Sequence, residues 1–205
     1  MRGACSPENA RKNDDERKIQ RRVLRERLLA ARQALTPDQF EEHSRRVREH
    51  LQQAFPQLAT HAVAFCWPIR NEPDLRPLIA RWYAAGHPDF QALLPVVTGP
   101  GRPLIFRQWH PGDTTQEDRY GIPTPVEGPE AMPASLLIPV NGFDRQGYRL
   151  GYGGGFFDRT LAALQPRPLA IGIGFELARV DSIDPQAHDM RLDAVVTEAG
   201  VFRTG

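Results

Sequence analysis

The chain has 205 residues, 40% hydrophobic and 25% charged, with a formal net charge of +1. These values fit one globular domain with a single sizeable core, and so balanced a charge supplies no field that would draw the protein onto nucleic acid or an anionic membrane. Two cysteines, Cys5 and Cys66, exclude a disulfide framework or a paired-cysteine metal knuckle.

Residues 1–13 are polar and aperiodic and are expected to form a disordered lead-in, with a single domain over 14–205. From Asp14 to Ala34 the pattern is helical, because Ile19, Val23, Leu24, Leu28, Ala31 and Leu35 recur at three- and four-residue steps. Arg21, Arg25 and Arg32 share one side of that helix, Arg27 points away, and Glu26 interrupts the basic run. This reads as a solvated face with one or two phosphate-directed arginines, not as a nucleic-acid surface. Thr36-Pro37-Asp38-Gln39 matches a helix start with Thr as cap and Pro in the first turn, and that helix should run to Ala54.

An α/β pattern begins after Pro56. Strands are expected over 61–67, 90–97, 104–109, 134–140, 169–175 and 194–197, with helices over 73–85 and 158–164. Near-continuous apolar strands alternating with helices predict one Rossmann-like, open, mostly parallel sheet with helices on both faces and an N-terminal helical arm. Residues 110–133 hold five prolines and three glycines and are expected to form a long ordered loop or lid. No apolar stretch of about 18 residues spans a bilayer and the first residues lack an export core, so the expected location is cytoplasmic.

The chemistry concentrates at Arg149-Leu-Gly-Tyr-Gly-Gly-Gly-Phe-Phe-Asp-Arg159, between the strand near 134–140 and the helix that follows. Glycines let backbone N–H groups converge, and a helix N-terminus adds positive potential, so the segment reads as an anion cradle. It is no Walker A loop, because no Gly-Lys-Ser/Thr follows. It is no dinucleotide fingerprint either, because Phe156 stands where the third glycine belongs. A tight strand–helix turn without a ligand is the competing reading. Arg145, Arg149 and Arg159 around the loop favour a polyphosphate. Asp158 fits either a Mg2+ ligand or a helix-dipole partner.

The segment Phe143-Asp-Arg-Gln-Gly-Tyr-Arg-Leu-Gly-Tyr-Gly-Gly-Gly-Phe-Phe-Asp-Arg-Thr-Leu161 resembles the central motif of the 5-formyltetrahydrofolate cyclo-ligases, also called 5,10-methenyltetrahydrofolate synthetases. Arg21-Arg-Val-Leu-Arg25 is similar to that family's N-terminal Lys-x-x-Leu-Arg. Trp67-Pro-Ile-Arg-Asn-Glu-Pro73 falls where the family has a strand end and a substrate-binding Glu. His188-Asp-Met-Arg-Leu-Asp-Ala-Val-Val-Thr197 is similar to its C-terminal block. The matches run in order over about residues 20–198.

The resemblance implies ATP- and Mg2+-dependent closure of 5-formyltetrahydrofolate, with or without a polyglutamate tail, to 5,10-methenyltetrahydrofolate, with release of ADP and phosphate. The formyl oxygen would attack the γ-phosphate and N10 would then displace phosphate from the iminium phosphate. It further implies a nucleotide site at Arg21, Arg25, Arg149, Leu150, Gly151, Tyr152, Gly153, Gly154, Gly155, Phe156 and Phe157. A folate site would use Trp67, Glu72, Tyr152, Gly153, Gly154, Gly155 and Phe156. Asp158 and Asp189 would hold the metal, and Arg149 and Tyr152 would touch the reacting groups. Glu72 could accept from the planar donor edge of the pterin, and Trp67 could stack on a flat ring or fill the core. Departures from the motif are Arg21 for Lys, Tyr152 and Gly154 where many relatives carry Arg and Lys, and Phe157 for Tyr. A monomer is expected, with no nucleic-acid or membrane partner. The alternative is a regulator that binds folate or nucleotide on the same fold without turnover.

Overall fold

Residues 7–204 are described in the computed structural model of the chain, with side chains from Asp15 onward. Helix α1 spans Pro7–Gln33, so the lead-in expected over residues 1–13 is corrected at 7–13, which are helical; residues 1–6 lie outside the described residues. Proline is tolerated in a first helical turn, and Glu8, Ala10, Arg11 and Lys12 are good helix formers that need no apolar stripe.

Helix α2 spans Pro37–Ala54 and starts with the expected Thr36 cap, whose hydroxyl accepts from Gln39 N while the Gln39 side chain accepts from Thr36 N. Strand β1 follows at Ala62–Ala64, then helix α3 at Arg76–Ala85, strand β2 at Gln91–Val96 and strand β3 at Ile105–Gln108. A hairpin of β4 (Thr115–Glu117) and β5 (Pro123–Pro125) precedes β6 (Ser135–Pro139), and a smaller hairpin of β7 (Gly142–Phe143) and β8 (Arg149–Leu150) follows it. The chain ends with α4 (Phe156–Ala163), β9 (Leu169–Ile173), β10 (Ala194–Thr197) and β11 (Gly200–Arg203).

Seven strands form one sheet in the order β11-β10-β9-β6-β1-β2-β3. The five inner strands are parallel, and the two edges, β3 and β11, run antiparallel. The mostly parallel α/β sheet expected from the sequence is therefore present. Its two faces carry separate cores. Val63, Leu94, Leu137 and Ile171 pack with Val47 and Leu51 of α2 and Leu78, Ile79 and Trp82 of α3. Their strand neighbours Ala64, Leu93, Leu136 and Ala170 pack on the other face with Leu161 of α4. This alternation explains why the strands read as continuous apolar runs.

Two local differences bear on the site. The strand expected over 61–67 keeps its ladder only through Ala64, because the chain turns away before Pro68. The glycine loop does not leave the main sheet directly, since the β7–β8 hairpin intervenes. Its turn is set by Asp144, whose Oδ1 accepts from Gln146 N and Tyr148 N, and by Gly147 at φ 85°. Among the described residues no helix is long and apolar enough to cross a membrane.

Candidate active site

Strand order reverses between β1 and β6: the chain proceeds from β1 to β2 on one side and from β6 to β9 on the other. In open α/β sheets the crevice beyond the carboxyl ends of such strands is where ligands bind. Here it is a cleft of about 590 Å³, a size suited to small molecules. The segment after β1 brings Trp67 and Glu72 into it, and the segment after β8 brings the glycine loop. Helix α1 contributes Arg21 and Arg25, and the stretch before β10 contributes His188 and Asp189. The 110–133 segment is ordered, and its hairpin lines the cleft with Asp118, Tyr120 and Ile122. Asp118 Oδ1 shapes the turn by accepting from Tyr120 N and Ile122 N, and the Tyr120 ring meets Phe156 edge to face at 5.9 Å.

The loop over Gly151–Gly155 is built to expose amides. Arg25 Nε donates to Gly151 O at 2.6 Å and Arg159 Nη2 donates to Gly154 O at 2.6 Å, so guanidinium groups hold two carbonyls. Among the described residues, the backbone amides of 151–155 have no acceptor. Gly155 caps α4 in the left-handed region at φ 64°, and a Cβ there would lie 2.7 Å from Arg159 Nη1. With no side chain capping α4, its first-turn N–H groups add to the cradle. Burial and the neighbouring Arg21 charge lower the pKa of Arg25 against the opposing charge of Glu26.

The acidic residues meet the same wall. Asp158 Oδ1 accepts from Arg149 Nη2 at 2.9 Å and from Met190 N at 3.0 Å, while Arg149 Nη1 donates to Met190 O at 2.8 Å. Arg21 Nη1 donates to Asp189 Oδ2 at 2.6 Å, and Gln186 N donates to the same oxygen at 2.7 Å. Burial pushes the Asp189 carboxyl up, but the Arg21 hydrogen bonds, the Gln186 N–H and the Arg21 and His188 charges together hold it below the usual carboxylate range. No group of three or more His, Cys, Asp or Glu able to hold a metal exists among the described residues. Mg2+ normally takes one or two carboxylates, several waters and substrate phosphates. Asp158 and Asp189, facing a phosphate cradle, fit that donor set.

The cleft is also lined by Glu72, 3% exposed. Its Oε2 accepts from Ile69 N at 3.1 Å and its Oε1 from the Tyr152 hydroxyl at 2.6 Å. Burial and the Glu72 charge push the Tyr152 phenol well above its ordinary pKa against the nearby Arg32, so it is a donor and not a base. Trp67 packs edge to face on Trp109 at 5.8 Å, carries Arg76 over its ring at 5.0 Å, and lines the cleft. Leu150 is fully buried behind the loop, and Phe156 and Phe157 line the cleft. Arg145 stands apart at the β7–β8 turn, 81% exposed and 3.8 Å from Asp181. Sequence reasoning missed Arg32, which is 3% exposed and donates from Nη2 to the Tyr152 hydroxyl oxygen at 2.8 Å. The available signal was its place on the same helix side as Arg21 and Arg25.

Comparison with known proteins identifies relatives of the chain. The chain is 32% identical over 178 residues to a 5-formyltetrahydrofolate cyclo-ligase of Escherichia coli strain K12, covering 83% of this chain and 96% of that protein. It is 32% identical over 143 residues to one of Mycolicibacterium smegmatis, covering 63% and 70%. The NMR structure of Aquifex aeolicus 5,10-methenyltetrahydrofolate synthetase superposes with a TM-score of 0.75 at 28% identity, over 90% of this chain and 92% of that one. The Mycoplasma pneumoniae synthetase shares the fold, with a TM-score of 0.72 at 22% identity over 87% and 98%. The 5-formyltetrahydrofolate cyclo-ligase family model matches residues 17–198, a span that takes in α1 from Arg17, the glycine loop and Asp189. The chain is an enzyme belonging to the 5-formyltetrahydrofolate cyclo-ligase family.

Proposed function

We propose that this protein closes 5-formyltetrahydrofolate to 5,10-methenyltetrahydrofolate at the expense of ATP in the presence of Mg2+. The observation that carries the reading is one cleft whose lining joins a buried carboxylate, suited to a pteridine donor edge, to a glycine loop with exposed amides and to two further carboxylates.

A formyl oxygen is a weak nucleophile and hydroxide a poor leaving group; bound ATP supplies the phosphoryl group that turns this oxygen into a leaving group before N10 closes the ring. The protein's part is then alignment and charge neutralisation. The amides of Gly151–Gly155 and the α4 N-terminus hold phosphate oxygens, and Arg21, Arg25 and Arg149 offset their charge. Asp158 and Asp189 would hold Mg2+ together with those oxygens. Glu72 accepts from the pteridine edge, Trp67 offers a ring face, and Tyr152, its proton given to Glu72, stands beside the reacting groups. Tyr120 and Phe156 meet edge to face along the cleft wall. No side-chain nucleophile is needed, and Cys66 is unsuited to be one because burial and the Glu72 charge push its thiol well up.

The test supplies purified protein with 5-formyltetrahydrofolate, with and without Mg-ATP, and follows methenyl absorbance and phosphate release together. Product and phosphate should appear only with Mg-ATP. Folate binding with no product in either condition would overturn the catalytic reading in favour of a non-catalytic regulator.

A further inference from the structure

Arg32 differs from the other arginines of α1 whose side chains are described in being almost fully buried. A buried guanidinium is costly unless its N–H groups find acceptors. Nε donates to Arg70 O at 2.9 Å, Nη2 donates to the Tyr152 hydroxyl oxygen at 2.8 Å, and Nη2 stands 3.8 Å from Glu72 Oε1. Arginine has no acceptor, so its donation leaves the phenol's single proton to be given elsewhere. That proton goes to Glu72 Oε1 at 2.6 Å. The chain of bonds therefore has one direction, from guanidinium to phenol to carboxylate.

Arg32 also grips the backbone that presents Glu72. Arg70 and Asn71 both have left-handed backbones, at φ 49° and 58°. Asparagine tolerates that region, whereas an arginine there is strained and persists only where its surroundings hold it. The carbonyl that Arg32 clasps belongs to the strained residue, and the Arg70 guanidinium lies 5.6 Å from the centre of the Tyr152 ring.

A carboxylate offers about four lone-pair positions. Ile69 N and Tyr152 OH use two, leaving two for a planar pair of N–H donors. This holds only while Glu72 is ionised, because a proton on it would face a donor edge with another donor. The groups facing it are Arg32 from α1, Tyr152 from the glycine loop, and Arg70 and Cys66 from its own segment. Burial pushes the Glu72 carboxyl up; the Tyr152 hydrogen bond, the Arg32 charge, the Ile69 N–H and the Arg70 charge oppose that rise.

We propose that Arg32 is a positioning residue of the folate site, keeping Glu72 ionised and aimed through the Tyr152 hydroxyl and the Arg70 carbonyl. The proposal rests on the reading of Glu72 as the pteridine acceptor.

The test compares wild type, Arg32→Met, Arg32→Lys, Tyr152→Phe and the Arg32→Met/Tyr152→Phe double variant. Glu72 is titrated by carbon NMR of labelled glutamate carboxyls, assigned with Glu72→Gln, and KM and kcat are measured against pH. Loss of either relay member should raise the Glu72 midpoint by about one pH unit, the size expected for removing a close opposite charge or hydrogen bond. Because a raised carboxyl pKa costs ionisation on the acid side, KM for folate should rise as pH falls through the new midpoint, by about tenfold where the midpoint lies one pH unit higher. KM for ATP should stay unchanged in Arg32→Met, Arg32→Lys should recover part of the loss, and the double variant should be no worse than the poorer single. A Glu72 midpoint in Tyr152→Phe equal to that of wild type, or losses that add in the double variant, would overturn the relay. If Arg32→Met does not fold, Tyr152→Phe and Arg32→Lys decide the question by the same readings. A raised midpoint in a protein that binds no folate would support the relay and refute the folate assignment.

Discussion

Asp158 shows how one side chain can satisfy two readings of the same sequence. It lies in the first turn of α4, where a carboxylate favours the helix dipole, yet its Oδ1 is spent on Arg149 and Met190, which pins the C-terminal block to the glycine loop. Asp158→Asn keeps an oxygen acceptor for Met190 N and removes only the charge. Turnover should fall by about a hundredfold, the scale of losing one electrostatic contact to a transition state, with folate affinity near normal. An unchanged kcat would take Asp158 out of the metal site. A place at the cleft was legible where a residue sat inside a specific motif, as Glu72, Asp158 and Asp189 did. The burial of Arg32 was not, because it depends on Tyr152, 120 positions away, and local pattern grouped the residue with solvated arginines.

Among the elements, those with a strong local cause were readable and those without were not. The Thr36 cap, the α2 run to Ala54 and the Gly86 end of α3, at φ 70°, all follow from single residues. The two hairpins have strands of two or three residues, too short for an alternating pattern to register. They are fixed by aspartates closing on nearby amides, a signal that composition shows only as a loop. Strand β11 was missed because its four residues at Gly200–Arg203 open on a glycine and lack the fully buried apolar run of β10, with which they pair antiparallel. Because Thr36 does not line the cleft, its cap can be tested separately from chemistry. Thr36→Ala should cost about 1 kcal/mol and lower Tm by about 2–4 °C for a protein of this size, leaving kcat unaltered. Thermal unfolding and steady-state rates on the same sample check both halves, and a lower kcat at an unchanged Tm would contradict the separation.

At the scale of the whole molecule, the sheet order converts scattered motifs into one site. The sequence carries strands, helices and their parallel character in its apolar runs, but not which strands become neighbours. The adjacency of β1 and β6 is what sets the Glu72 segment beside the glycine loop, and α1 then crosses both through Arg21, Arg25 and Arg32. From this placement follows the central claim that the formyl oxygen reaches the γ-phosphate in this cleft and leaves with it. The most direct measurement supplies 5-formyltetrahydrofolate carrying heavy oxygen in the formyl group, with Mg-ATP, and weighs the released phosphate by mass spectrometry. The account predicts one phosphate per methenyl product, with the label in that phosphate. Label recovered in water, or product formed without any phosphate, would contradict it.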